Sequence, residues 1–187
     1  MKRPYWMPCL AVLLAFSGVA AAAEPEAVDS RTAYRMVLDD PAHTHIVDVR
    51  TRPEYEFVGH PDLPNGVPNI PIRFYPDARL NSNFIRDVQR RFSRDEVIIT
   101  MCRSGKRARL AARQLLAHGF SHVYYMSDSF EGPRDAQGHH TLGGWKVNGL
   151  PYTYRLDPEL VYRPSLQAQD RQGAARPQSA RPAGKGR

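Results

Sequence analysis

Cysteine is nearly absent from this chain of 187 residues: there are two, and Cys9 lies in the N-terminal leader. A chain left with Cys102 alone cannot cross-link itself by a disulfide. Long apolar runs are missing too. The longest stretch, from about Leu10 to Val19, falls short of the roughly 20 residues that span a bilayer. It follows Met1-Lys2-Arg3 and precedes Ala20-Ala21-Ala22-Ala23, the layout of a secretory signal with a small-residue cleavage site. Stable membrane insertion is therefore not expected, and an exported, periplasmic location in a Gram-negative cell is. No recognisable nucleic-acid reading element accompanies the formal charge of +7. Without Lys2 and Arg3, 24 of the 26 basic residues remain against 19 acidic ones. Part of that excess sits in a Gln/Ala/Pro/Gly/Arg-rich tail, 164–187, which has no apolar periodicity and is read as disordered. Metal-ligand spacing is lacking as well. The pairs His43/His45 and His139/His140 have no fitting Cys or acidic partners and are read as loop histidines, so no metal or organic cofactor is expected. There are no internal repeats.

What is present is an alternation of strands and helices. Ser30 can cap a helix running to about Asp39, with Tyr34, Val37 and Leu38 inward. His45 to Val49 reads as a strand. Pro53 to Val58 is a short helix with proline in its first turn, stopped at Gly59-His60. The proline-rich 61–68 segment must be loop, and Asn69-Ile70-Pro71-Ile72 is a brief extended run that Pro71 assigns to an edge. An amphipathic helix is predicted from Asn81 or Asn83 to about Phe92, with Phe84, Ile85, Val88 and Phe92 inward. Glu96 to Met101 is a β-branched strand suited to burial on both faces. A helix from Ala108 to His118 carries Leu110, Ala111, Leu115 and Leu116 on its buried stripe and stops at Gly119. His122 to Met126 is the next strand. The expected fold is α/β, a central parallel sheet flanked by helices on both faces. Residues 24–145 form the domain, 146–163 an irregular wrapping extension whose tyrosines pack on it, and 1–23 the leader.

Cys102 is the residue round which chemistry gathers. It stands where a buried strand ends and a helix begins, so unpaired backbone N–H groups and the helix dipole favour an anion there. The cations Arg103, Lys106 and Arg107 favour the thiolate further. A lone thiol in an oxidising compartment, placed this way, reads as a nucleophile.

Three segments in order resemble the rhodanese-like sulfurtransferases: Asp48-Val49-Arg50 with Glu54-Tyr55 and Gly59-His60; Gly66-Val67-Pro68-Asn69-Ile70-Pro71; and Cys102-Arg103-Ser104-Gly105-Lys106-Arg107, continuing through Ala111, Leu115, Gly119-Phe120, Val123, Met126, Gly132 and Gly144-Trp145. The resemblance covers roughly Asp29 to Trp145. It departs at Pro61-Asp62-Leu63-Pro64-Asn65, which lengthens a loop, and at Ala108, where Ser is common. The resemblance implies a two-step transfer with no cofactor. The Cys102 thiolate takes the outer sulfur of a small anionic donor such as thiosulfate and passes it from a persulfide to cyanide, a small thiol or a protein thiol. Arg103, Ser104, Gly105, Lys106 and Arg107 would bind the substrate through backbone N–H groups and cationic side chains. Asp48, Arg50 and His60 are supporting candidates: Asp48 to orient the loop or cap the turn after its strand, Arg50 to pair with Glu54, and His60 to fix a neighbouring loop. Trp145 is expected as a packing anchor. A sulfur carrier or binding module without thiosulfate turnover is the alternative. Cysteine phosphatases and arsenate reductases are disfavoured, because phosphatase loops are a residue longer, whereas here Arg107 closes the loop after four intervening residues.

Overall fold

The strand that ends at the thiol has apolar side chains on both of its faces, and the fold is built round it. The computed structural model describes residues 24–164. The expected leader, 1–23, and all but the first residue of the expected tail lie outside them. The elements are β1 Glu26–Val28, α1 Ser30–Asp39, β2 Thr44–Asp48, α2 Arg52–Val58, β3 His60–Pro61, α3 Phe84–Gln89, β4 Val97–Met101, α4 Lys106–Ala117, β5 His122–Met126 and β6 Tyr152–Thr153. Four strands form one parallel sheet in the order β1-β5-β4-β2. β4 is an inner strand, pairing Asp48 with Met101 on one side and Thr100 with Tyr125 on the other.

Because side chains alternate along a strand, β4 feeds two cores. Ile98 joins Val47, Val49 and Val123 beneath α3 (Phe84, Val88) and α4 (Ala108, Ala111, Ala112, Leu115). Ile99 and Met101 face the other way, onto Ala33 and Val37 of α1 with Met126, Phe130 and Trp145. Helices thus cover both faces, the α/β arrangement expected.

Several local expectations are corrected. α1 is capped by Asp29, whose carboxylate accepts the Thr32 N–H at 2.7 Å, while Ser30 is buried and donates its N–H and hydroxyl to Asp128. The inward stripe therefore runs through Ser30, Ala33 and Val37, and Leu38 is 46% exposed. β1 was not legible as a strand. α3 is shorter than predicted, with Ile85 and Phe92 only partly buried. On α4, Ala108 and Ala112 are fully buried where Leu110 and Leu116 were expected; both leucines are only partly so.

The Asn69 to Ile72 run lies along the outer edge of β2, where Ile70 donates to Asp48 O and Ile72 to Val49 O. Pro71 falls between these two donors, so its missing N–H costs no inward bond. In the C-terminal extension Trp145 is fully buried, donates Nε1–H to Pro151 O at 2.7 Å and meets Tyr34 edge-on. β6 then pairs antiparallel with β3. Of the extension's tyrosines Tyr162 is buried, but Tyr152 and Tyr154 are exposed.

Candidate active site

β4 delivers the chain to Cys102 at the carboxyl end of the parallel sheet, where open α/β sheets place their ligand sites. Val49 N–H donates to Met101 O at 2.8 Å, and Thr100 Oγ1 donates to Ala108 O at 2.9 Å, so the strand and the first turn of α4 are pinned on either side of the loop. The loop turns at Gly105 with φ +92°, and a Cβ there would lie 2.3 Å from Ser127 O, so only glycine fits. The Gly105 N–H donates to Cys102 Sγ at 3.2 Å. The thiol is 1% exposed, at the floor of the loop.

A second segment clamps this one. Phe130 N–H donates to Cys102 O at 3.0 Å, and Glu131 and Gly132 N–H groups both donate to Arg103 O. Ser129 is fully buried, and its Oγ accepts the Cys102 N–H at 3.1 Å. Ser129 and Phe130 were not among the expected site residues. Ser127-Asp128-Ser129 carries a turn signal in sequence, but only the parallel pairing of β4 with β5 brings that turn under the thiol.

The cations of the loop divide into two kinds. Arg103 and Lys106 are exposed, and Ser104 is half-buried. Arg107 instead makes a bidentate ion pair with Glu54, Nη1–Oε2 2.7 Å and Nη2–Oε1 2.6 Å. Glu54 also accepts from the Thr51 hydroxyl and N–H in a capping box at the start of α2. Burial opposes ionisation of Glu54, but the hydrogen bonds and charge of Arg107 prevail and bring its pKa down to about 2. The Arg107 pKa is raised: burial works against its charge, and the Glu54 carboxylate outweighs burial. Arg107 is therefore a charge-compensated strut joining α4 to α2.

The expected Arg50–Glu54 pair does not form. α2 begins at Arg52, so Arg50 lies outside the helix and folds back on Asp48. Its Nε lies 3.0 Å from both carboxylate oxygens and its Nη2 2.6 Å from Oδ2. Nη2 also donates to Gly59 O, and the Arg50 N–H donates to Asp48 Oδ1, the turn-capping bond. Both side chains are buried, and the guanidinium lies 4.3 Å from the centroid of the Phe130 ring. This pair thus backs the segment that clamps Cys102. His60 stacks on Tyr55 at 4.0 Å, with ring nitrogens near Pro61 O and Arg155 O, and burial lowers its pKa. Its hydrogen bonds tie the C-terminal extension down and do not reach the thiol loop.

Among the described residues no group of three or more His, Cys, Asp or Glu side chains is arranged to hold a metal. His43 contacts Asp40, and His140 Nδ1 lies 2.6 Å from Gly132 O. Beside the Arg107 end of the loop, Thr51, Arg73, Phe74, Tyr75, Pro76 and Ala78 line a largely apolar cavity of about 280 Å³.

Comparison with known proteins gives this architecture a family. The family model for the rhodanese-like domain matches residues 30–135. An uncharacterized protein of Rickettsia conorii is 33% identical over 125 residues, 67% of this chain and 94% of that protein. The crystal structure of Rv0390 from M. tuberculosis is 32% identical with a TM-score of 0.63, covering 71% of this chain and all of that one. A polysulfide-sulfur transferase homodimer from Wolinella succinogenes, 20% identical with a TM-score of 0.51 over 73% of this chain and 84% of its own, shares the fold. With its thiol loop at the end of β4 and a family match over more than half its length, the chain belongs to the rhodanese-like family, as a sulfurtransferase-type or sulfur-binding domain.

Proposed function

We propose that the protein moves a sulfane sulfur from a small anionic donor such as thiosulfate to a thiophilic acceptor through a Cys102 persulfide. The observation that carries this reading is the Gly105 N–H aimed at Cys102 Sγ at 3.2 Å, in a loop that rises from the strand end into α4. In the first step Sγ forms a bond to the outer sulfur, the S–S bond of thiosulfate breaks, and its electron pair leaves with sulfite. In the second, cyanide or a thiolate attacks the outer sulfur of the persulfide and the pair returns to Cys102. Neither step needs a metal, an external oxidant or a general base once the thiol is ionised. Arg103, Lys106 and the loop N–H groups supply the anion's partners, Arg107 being held by Glu54. A thiol this deeply set admits a small donor more readily than a bulky one. The leader read from the sequence supports a periplasmic setting for this reaction.

The test is the mass of the Cys102 peptide after incubation with thiosulfate, beside a thiocyanate assay with Cys102→Ser as control. A gain of one sulfur with cyanide-dependent turnover, both lost in the variant, is expected. A sulfur gain without turnover would make the protein a carrier to a protein thiol. No sulfur gain from thiosulfate, with gain from another donor such as mercaptopyruvate, would overturn the choice of donor.

A further inference from the structure

We propose that Ser129 is a positioning residue for the Cys102 sulfur anion, its hydroxyl serving as a second donor beside the Gly105 N–H. The inference rests on the reading of Cys102 as the nucleophile. Ser129 is fully buried, on the loop after β5, with φ +53°, a left-handed conformation that a non-glycine residue seldom adopts. Such a conformation persists where its surroundings hold it, and here what it achieves is the placement of one oxygen. That oxygen touches three groups. It accepts the Cys102 N–H at 3.1 Å, lies 2.8 Å from Met126 O and stands 3.7 Å from Cys102 Sγ.

A serine hydroxyl has one proton to donate. While Cys102 is a neutral thiol, the better acceptor is Met126 O. Once the sulfur is ionised, it becomes the stronger acceptor, since hydrogen bonds to charged groups outweigh neutral ones. The proton reaches it by rotation about Cβ–Oγ. That rotation leaves Oγ in place, so the Cys102 N–H keeps its acceptor in both states, and no covalent bond changes. The anion then has two fixed donors, the Gly105 N–H and the Ser129 hydroxyl. Both are on a frame held by the Phe130–Cys102 and Glu131–Arg103 backbone bonds.

Two variants separate the hydroxyl from the backbone. Ser129→Gly removes the oxygen and relaxes the positive φ, whereas Ser129→Ala removes the oxygen and keeps the strain. Alkylation of Cys102 by iodoacetamide is followed against pH in the full chain, with the modified peptide resolved by mass so that Cys9 does not interfere. Both variants are expected to alkylate about tenfold more slowly than wild type on the rising limb of the profile, with the plateau rate unchanged, as a tenfold smaller thiolate fraction requires. A profile unmoved in Ser129→Gly, whatever its melting temperature, overturns the proposal. A shift in Ser129→Ala alone also overturns it, because strain and not the hydroxyl would then be responsible. The measurement uses no sulfur donor, so a failure of the proposed transfer reaction appears separately, in the persulfide mass.

Discussion

Glu54→Gln isolates the electrostatic strut beneath the thiol loop. In the folded protein Glu54 has a pKa of about 2, against an ordinary 4.5. A gap of that size corresponds to about 3 kcal/mol of stability, which we trim to about 2–3 kcal/mol because the side chain keeps some solvent contact. The carboxylate and Arg107 side chains are 25% and 23% exposed. The folded-state value is the depressed one, so this contribution is fully present above the unfolded-state value of 4.5 and is lost as pH falls towards 2. Glutamine preserves shape and one acceptor but carries no charge. Urea denaturation of both proteins through this range therefore yields a difference curve in which the other carboxylates cancel. The variant should be less stable by about 2–3 kcal/mol at pH 7, and the gap should close below pH 3. A difference that stays flat from pH 5 to pH 2.5 would refute the depressed Glu54, and with it the strength of the Arg107 pair.

The same variant tests specificity, since it releases the Arg107 charge beside the loop; turnover of a dianionic donor should rise relative to that of a neutral persulfide, and an unchanged ratio would count against the compensated-cation reading. Gly105→Ala places a Cβ on Ser127 O and demands a positive φ of a residue that resists it. It should lose at least about 1–3 kcal/mol and all persulfide formation, measured by thermal unfolding and mass; wild-type loading with sulfur would show that the loop tolerates the shift. Asp48→Asn strips the buried Arg50 guanidinium of its counter-charge and should destabilise by about 3–5 kcal/mol in urea. A loss below about 1 kcal/mol would mean that the pair is better solvated than its burial indicates.

The parts of the fold readable from sequence were those whose environment is uniform. β4 and β5 are inner strands and β2 lies beside β4, and the β-branched and aromatic residues grouped in each have one reading. β1 has three residues, Glu26-Ala27-Val28, paired on one side only, which leaves no pattern to detect. Asp29 and Ser30 are adjacent and both able to cap, and their roles were decided by Asp128, a partner 98 residues from Ser30. The thiol loop was legible because its chemistry is local: strand end, glycine, cations and helix start follow one another. Its supports were not. Glu54 reaches Arg107 across 53 residues and Ser129 reaches Cys102 across 27, pairings set by how helices and strands stack. Arg50 and Glu54 were expected to pair, but the Arg50 guanidinium is taken by Asp48, two residues away, and Glu54 turns instead to Arg107.

The Asn69 to Ile72 run gives the sheet a further property. Its outward-facing Asn69 N–H is taken by Leu160 O at 2.8 Å, and Val161 and Tyr162 are buried next to it. The β2 side of the sheet thus ends in a segment whose Asn69 N–H is already taken by the protein's own C-terminal extension. On the far side β1 offers a rim three residues long with Glu26 at its head. A foreign strand seeking to extend the sheet meets a partly occupied rim on one side and a short, charged one on the other. The extension after Trp145 thus covers part of an edge that would otherwise be open to pairing, a contribution separate from anything that happens at Cys102.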